Sequence, residues 1–301
     1  MKHLSWTLLL IAATLAACSS DDDTEPQNPA TTPAVAQPEL RPMYVDVTEN
    51  ALTDEAEARG EGTTRTAAET TTSTLSAFSM NYMDSKYDFT KTSDEWSTNN
   101  WPESVEKWDK IDFYAYTGGK FYYNGGNPYL SYTGEELANA QHDLLVATHK
   151  NISYNDANGH VSLHFQHVCA AVNFRIGQSK TLSERGTVYK SIQIVWVYNK
   201  GDYYYNATPA WKNVTGDVDT YYTLVSSDNI EIPVTDTANN NARVLPCDYL
   251  FMIPQAHNNA VIRIGYTIGG ELKSVDIPLT VNWEAGYKYT VDIRLGTNTI
   301  K

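Results

Sequence analysis

The stretch VSLHFQHVCAAVNFRI, residues 161–176, decides how the rest of the chain is read. At period two, Val161, Leu163 and Phe165 fall on one face, the alternation of a strand with one side buried. After Gln166 and His167 the apolar set becomes Val168, Ala170, Val172, Phe174 and Ile176, so the phase slips by one residue. An uncorrected slip would turn every later side chain to the wrong face. A β-bulge at Gln166-His167 would absorb it. On that reading His167 is a structural residue whose ring nitrogens meet backbone groups that the bulge leaves unpaired. Two histidines and a cysteine this close together also raise the question of a metal. His164 and Cys169 lie on opposite sides of the phase break, and no HExxH or CxxC spacing occurs. The expectation is therefore strand, with no metal ligands and no cofactor.

Working outward, the same pattern recurs. Leu75–Tyr82, Lys110–Tyr116, Asp143–Ala147, Ser191–Tyr198, Tyr221–Val225, Asp248–Ile253, Ala260–Ile268, Leu272–Leu279 and Tyr287–Leu295 read as short strands between turn residues. Gly269-Gly270 joins two of them as a tight hairpin that needs positive φ. Only Tyr132–His142 has a helical look. Many short strands indicate an all-β chain built from sandwiches or barrels. The polar stretch Gly177–Gly186 is the best interdomain seam. The expected division is residues 1–18 as a signal, 19–62 as a linker, 63–180 as one β-sandwich and 181–301 as a second.

The amino end is Met1-Lys2-His3 followed by the apolar run Leu4–Ala17, too short for a bilayer span of about 20 residues. It fits a signal peptide. The run closes in Leu15-Ala16-Ala17-Cys18, small residues before a cysteine, so Cys18 is the expected lipidation site and anchors the chain to the outer membrane. Between Ser19 and Gly62 there are 11 acidic and 2 basic residues, a balance of −9 out of the formal −14 for the whole chain. The acidity therefore sits in a tether rather than a cleft, and it argues against nucleic acid as a partner. Within the linker, Met43, Val45 and Val47 share one face of a short strand at 43–48. An acidic loop carrying Arg59 and Arg65 separates it from the body, in small polar surroundings that favour proteolytic nicking. Of the other cysteines, Cys169 and Cys247 sit in apolar runs and read as buried thiols, with a disulfide between them as the alternative in an exported protein.

No GxSxG, P-loop, GxGxxG or EF-hand spacing is present, and no catalytic residue stands out. Tyrosine is the one abundant functional side chain, 21 residues beside 7 Trp. Phe121-Tyr122-Tyr123 and Tyr203-Tyr204-Tyr205 are consecutive runs. Neighbours in a strand point to opposite faces, so each run exposes at least one ring where only one face is buried. Tyr122, Tyr123 and Tyr204 are therefore candidate adhesive aromatics, with partly buried rim tyrosines as the plainer alternative.

Several of these stretches together resemble the fimbrillin family of type V pilins. They are Lys110-Ile-Asp-Phe-Tyr-Ala-Tyr116, Asp143-Leu-Leu-Val-Ala147, Val161-x-Leu163-x-Phe165-x-His167, Leu250-Phe-Met-Ile-Pro-Gln255, and Trp283-x-x-Gly286-x-x-Tyr289 followed by Val291–Leu295. Their order and spacing over roughly residues 70–296 carry the resemblance, and the branch most similar includes minor and tip subunits. Ser19-Ser-Asp-Asp-Asp23 behind Cys18 resembles the surface-export signal of lipoproteins from the same bacteria. The resemblance implies two transthyretin-like β-sandwiches and a non-enzymatic, structural role in a cell-surface fimbria. It implies lipid anchoring before processing, then cleavage at Arg59 or Arg65 by an arginine-specific protease. The strand at 43–48 leaves, and other fimbrial subunits act as strand donors. Gly296–Lys301 reads as a poor donor, which would place the chain at a tip. A host or bacterial surface glycan or protein is the expected adhesive partner. The reading that stays open beside it is a non-polymerising surface lipoprotein that binds glycans through exposed Tyr and Trp.

Overall fold

The structure is a computed structural model describing residues 44–49, 53–54, 75–82, 85–93, 95–98, 110–137, 140–153, 160–216, 221–234, 243–244 and 249–296. Strands dominate it, as the period-two pattern requires. The first sheet has seven strands in the order β1-β10-β9-β6-β3-β4-β5. These are β1 (Tyr44–Glu49), β3 (Ala77–Tyr82), β4 (Ser85–Thr92), β5 (Glu95–Ser97), β6 (Ile111–Tyr116), β9 (Leu145–Ile152) and β10 (His160–His167). Phe78, Met80, Phe89, Phe113, Ala115, Val161, Leu163 and Phe165 fill one core on its inner side. The edge strands β1 and β5 approach one another, so the sheet curls almost into a barrel around that core.

A second sheet lies against the outer side of the first. It runs β14-β13-β8-β7, with β7 (Lys120–Asn124), β8 (Asn127–Thr133), β13 (Lys200–Tyr204) and β14 (Trp211–Thr215). Between the two sheets Tyr116, Leu130, Tyr132, Leu144, Val146 and Val168 are buried, with Phe121, Tyr203, Tyr205 and Trp211 packed against them. Alternate residues of β6 therefore serve both cores: Phe113 and Ala115 face inward, while Tyr116 faces the second sheet. That double burial explains why Ile111–Tyr116 is apolar almost throughout.

The largest core sits between two further sheets. One is β16-β11-β20-β2, built from β2 (Thr53–Asp54), β11 (Ala170–Gln178), β16 (Arg243–Val244) and β20 (Tyr287–Leu295), with β17 (Leu250–Met252) also on β11. The other is β15-β12-β18-β19, built from β12 (Val188–Val195), β15 (Tyr221–Ile230), β18 (Gln255–Ile268) and β19 (Glu271–Trp283). The Gly269-Gly270 hairpin forms as read: both glycines have positive φ, and Ile268 pairs with Glu271.

Two expectations are corrected. The phase slip at Gln166-His167 is absorbed by a change of sheet rather than a bulge. β10 ends at His167, Val168 and Cys169 cross over, and β11 begins at Ala170 in a different sheet. Both apolar sets stay buried because each faces its own core. Tyr132–Leu137, the described start of the stretch read as helical, is not a helix. Tyr132 and Thr133 complete β8, and Leu137 forms a bridge with Thr223. Among the described residues a short helix, α1 (Lys180–Glu184), lies in the stretch read as a seam, with Leu182 buried in the large core. Strand partners also cross residue 180 in both directions. β11 pairs with β20, and β13 pairs with β8.

Candidate functional site

Two places carry chemistry that packing alone does not require. The first is the seam held by β1. Its register on β10 is parallel and runs from Tyr44↔His160 through Val45↔Val161 and Val47↔Leu163 to Glu49↔Phe165. Val45 is half-buried and packs against the inner core, whose nearest members Val161, Leu163 and Phe165 are fully buried. Asp46 points out, and its carboxylate meets His160 Nδ1 at 2.9 Å, an exposed contact worth little in water. β1 therefore supplies a backbone edge to β10 and, through Val45, an apolar contact to the inner core. Two residues of β2 pair in parallel with Tyr287 and Lys288 of β20. The strand residue Met43, the arginines Arg59 and Arg65, and Cys18 lie outside the described residues.

The second place is the outer face of the second sheet. The tight Gly125-Gly126 turn, with φ of 56° and 84°, sets Tyr122 opposite Tyr129. β13 then places Tyr204 opposite Tyr129 on the other side. The three rings stack across three strands, at centroid separations of 5.1 and 5.0 Å and interplanar angles of 13° and 20°. Lys120 Nζ lies 5.1 Å from the Tyr122 centroid, and Lys212 Nζ lies 4.9 Å from that of Tyr204. Tyr122 and Tyr204 are thus brought together. Tyr123, though exposed, alternates with Tyr122 along β7 and is not part of the row. Tyr129 was not singled out in the sequence. The signal was there, because a two-residue Gly-Gly hairpin fixes the 122–129 pairing.

The histidine and cysteine question closes at the junction between β10 and β11. His164 is exposed on the outer side of β10. His167 is buried, and its Nδ1 meets the Asp143 carboxylate. Cys169 is free and fully buried, and burial pushes its thiol well up, so it behaves as a small neutral hydrophobe. Trp211 Nε1 donates to Val168 O at 2.7 Å across the same crossover. Among the described residues, no group of three His, Cys, Asp or Glu is placed to hold a metal ion. Burial of phenols is the rule in the second core: Tyr114 and Tyr116 are both pushed up to about 12, first by desolvation. Cys247 lies outside the described residues.

Comparison with known proteins agrees with this architecture. A family model described as fimbrillin-like matches residues 56–301. A crystal structure of a fimbrial protein from Bacteroides vulgatus superposes with a TM-score of 0.51 at 18% identity, covering 86% of this chain and 96% of that one. A candidate cell adhesion protein from Bacteroides ovatus gives 0.52 at 11% identity, covering 85% and 92%. At these identities the likeness is one of fold. No curated protein matches the chain.

Proposed function

The chain belongs to the fimbrillin-like family, and on that premise we propose that it is a structural, non-enzymatic subunit of a cell-surface fimbria, in a minor or tip position. Assembly proceeds by strand exchange. The precursor is anchored to the outer membrane through Cys18. Cleavage at Arg59 or Arg65 frees β1, and a strand from a neighbouring subunit enters the opened seam.

One observation carries the proposal: β1 is an edge strand closing a nearly complete barrel, with Val45 on the core and six residues in register along β10. Its departure would bare the edge of β10 above fully buried Val161, Leu163 and Phe165. A free edge over an apolar slot is what β-augmentation fills, with main-chain bonds for affinity and alternate side chains for specificity. The place of β20 supports a non-donating position. β20 lies between β11 and β2 with Leu295 fully buried, so it cannot be lent to a neighbour without emptying the large core.

Mass spectrometry of the protein recovered from assembled filaments tests this. The expected new amino terminus is Gly60 or Thr66. Filaments composed of chains that keep residues 43–48 would sink the exchange mechanism. The second reading, a non-polymerising lipoprotein that binds glycans, is favoured by the exposed tyrosine row and predicts that β1 is retained in the mature surface form.

A further inference from the structure

The tyrosine row is a built surface whose ligand can be named from its chemistry. Strands stand about 4.8 Å apart, so rings separated by 5.0 and 5.1 Å are stacked face to face with no room between them. Tyr129 therefore offers neither ring face to a ligand. What it presents outward is its edge and hydroxyl, since strand side chains stand roughly perpendicular to the sheet. Tyr122 and Tyr204 contribute hydroxyls to the same line. The outer ring at each end carries an ammonium, Lys120 beside Tyr122 and Lys212 beside Tyr204. The three rings cross three strands, and with Lys212 on β14 the stripe spans four, on the order of 15 Å.

A shallow recess continues from it, lined by Asn124, Asn127, Tyr129, Tyr204, Asn206 and Lys212. A third ammonium, that of Lys150, donates to Asn206 Oδ1 at the rim of the recess. Among the described residues Asp202 is a carboxylate of this face, pairing with Lys212 in register and accepting from Asn213 Nδ2 at 2.8 Å, while Asp112, which accepts from Tyr114 Oη at 3.0 Å, lies on the Lys150 side. Lys120, Lys212 and Lys150 against Asp202 and Asp112 leave a small local cationic excess among the described residues, on a chain of net charge −14. The surface is a sheet face and not an edge, so it has no backbone ladder to offer a peptide strand. Phenol hydroxyls, amides and ammonium groups in a line suit a polyhydroxylated chain that also bears carboxylates.

We propose that the face carrying Tyr122, Tyr129 and Tyr204 between Lys120 and Lys212 binds carboxylate-bearing glycans. This goes beyond subunit assembly and does not depend on it, because the row lies on the second sheet and not in the β1 seam.

Titration calorimetry of the full mature chain with β1 in place tests it, with tetragalacturonate as probe and a neutral galactose tetrasaccharide as comparison. The acidic probe is expected to bind at least tenfold more tightly than the neutral one, and to weaken as salt rises. Tyr129→Ala should weaken it tenfold or more. Tyr129→Phe, which keeps the stack and removes the hydroxyl, should fall between wild type and Tyr129→Ala. Lys120→Gln with Lys212→Gln should erase the preference for the acidic probe. Thermal melts establish that each variant is folded. No binding of the acidic probe, equal binding of both probes, or binding indifferent to all three variants would overturn the proposal. So would equally tight binding of an acidic peptide. Because β1 is intact throughout, a failure here says nothing against strand exchange, and a failure of strand exchange leaves this result standing.

Discussion

Replacing Val45 by Asp should loosen the β1 seam without unfolding the protein. Val45 is half-buried on the inner core, opposite Val161 in a parallel ladder. Full burial of a valine is worth about 1.5–3 kcal/mol, so half of it is about 1 kcal/mol. Setting a carboxylate against buried Val161 and Leu163 adds about 1–2 kcal/mol of unsatisfied polar burial. The sum, about 2–3 kcal/mol, is roughly a 30- to 150-fold rise in the population with β1 detached, at 1.4 kcal/mol per tenfold. Native-state hydrogen exchange reads this directly. Amides of residues 160–165 that bond to β1 should exchange 30- to 150-fold faster, while those of β11 and β20 in the large core stay unchanged. Protection of β10 that does not move would refute the reasoning, because β1 would then contribute nothing to the seam. Uniform loss of protection everywhere would refute it too, since β1 would then be part of the global folding unit and could not be exchanged.

Gly201→Ala should destabilise by about 1–3 kcal/mol, because the new Cβ would sit 3.1 Å from Trp211 Cε3 and the indole is tethered through Val168 O; an unchanged denaturation midpoint would contradict this. His149 is held below the ordinary histidine value by burial, and its neutral Nδ1 accepts from Ser162 N–H at 3.0 Å. Its contribution to stability is therefore complete above about pH 6.5, where the unfolded chain is also neutral, and falls as pH drops from there toward the folded pKa. His257, lowered by the same cause, acts in the same direction. In His149→Gln the loss of Tm between pH 7.5 and 5 should be smaller than in wild type. A fragment of residues 63–180 lacks β13 and β14 and leaves Leu130 and Tyr132 bare, so it should give a collapsed, poorly dispersed NMR spectrum; a dispersed one would establish residue 180 as a domain boundary.

What the sequence made legible were the strands whose two faces differ. Val161, Leu163 and Phe165 alternate with exposed Ser162, His164 and Gln166, and their burial follows the pattern residue by residue. The inner face of β3 was equally plain. What it hid was which sheet each strand joins. The slip at His167 has the same signature in sequence whether a strand bulges or leaves for another core, and only the long-range pairing of β11 with β20 distinguishes them. Tyr132–His142 misled because its glutamates and leucine fit a helix, whereas Tyr132 and Thr133 are held in β8 against β13 and Leu137 bridges to Thr223. At the candidate sites, alternation was enough to mark Tyr122 and Tyr204 as outward residues. It could not show that β8 would bring a third tyrosine between them.

The amino-terminal segment closes two edges rather than one, and this bears on what a replacement strand must be. β1 runs parallel to β10, and β2, four residues beyond its end, runs parallel to the start of β20. Cleavage after Arg59 would release both, baring an edge on each of two sheets. An incoming segment that covers only β10 leaves the Tyr287–Lys288 edge unpaired. Each added backbone hydrogen bond is worth about 0.5–1.5 kcal/mol net, and ordering the intervening residues offsets part of that. Arginine-cleaved protein should therefore bind a peptide of residues 43–54 about three- to tenfold more tightly than one of residues 43–49, measured by fluorescence anisotropy. Equal affinity would mean that β2 is incidental and that the acceptor slot is the barrel seam alone. A reversed-sequence peptide should bind worst of all, because it must either run antiparallel to β10 and lose the parallel hydrogen-bond pattern or run parallel with its side-chain order inverted.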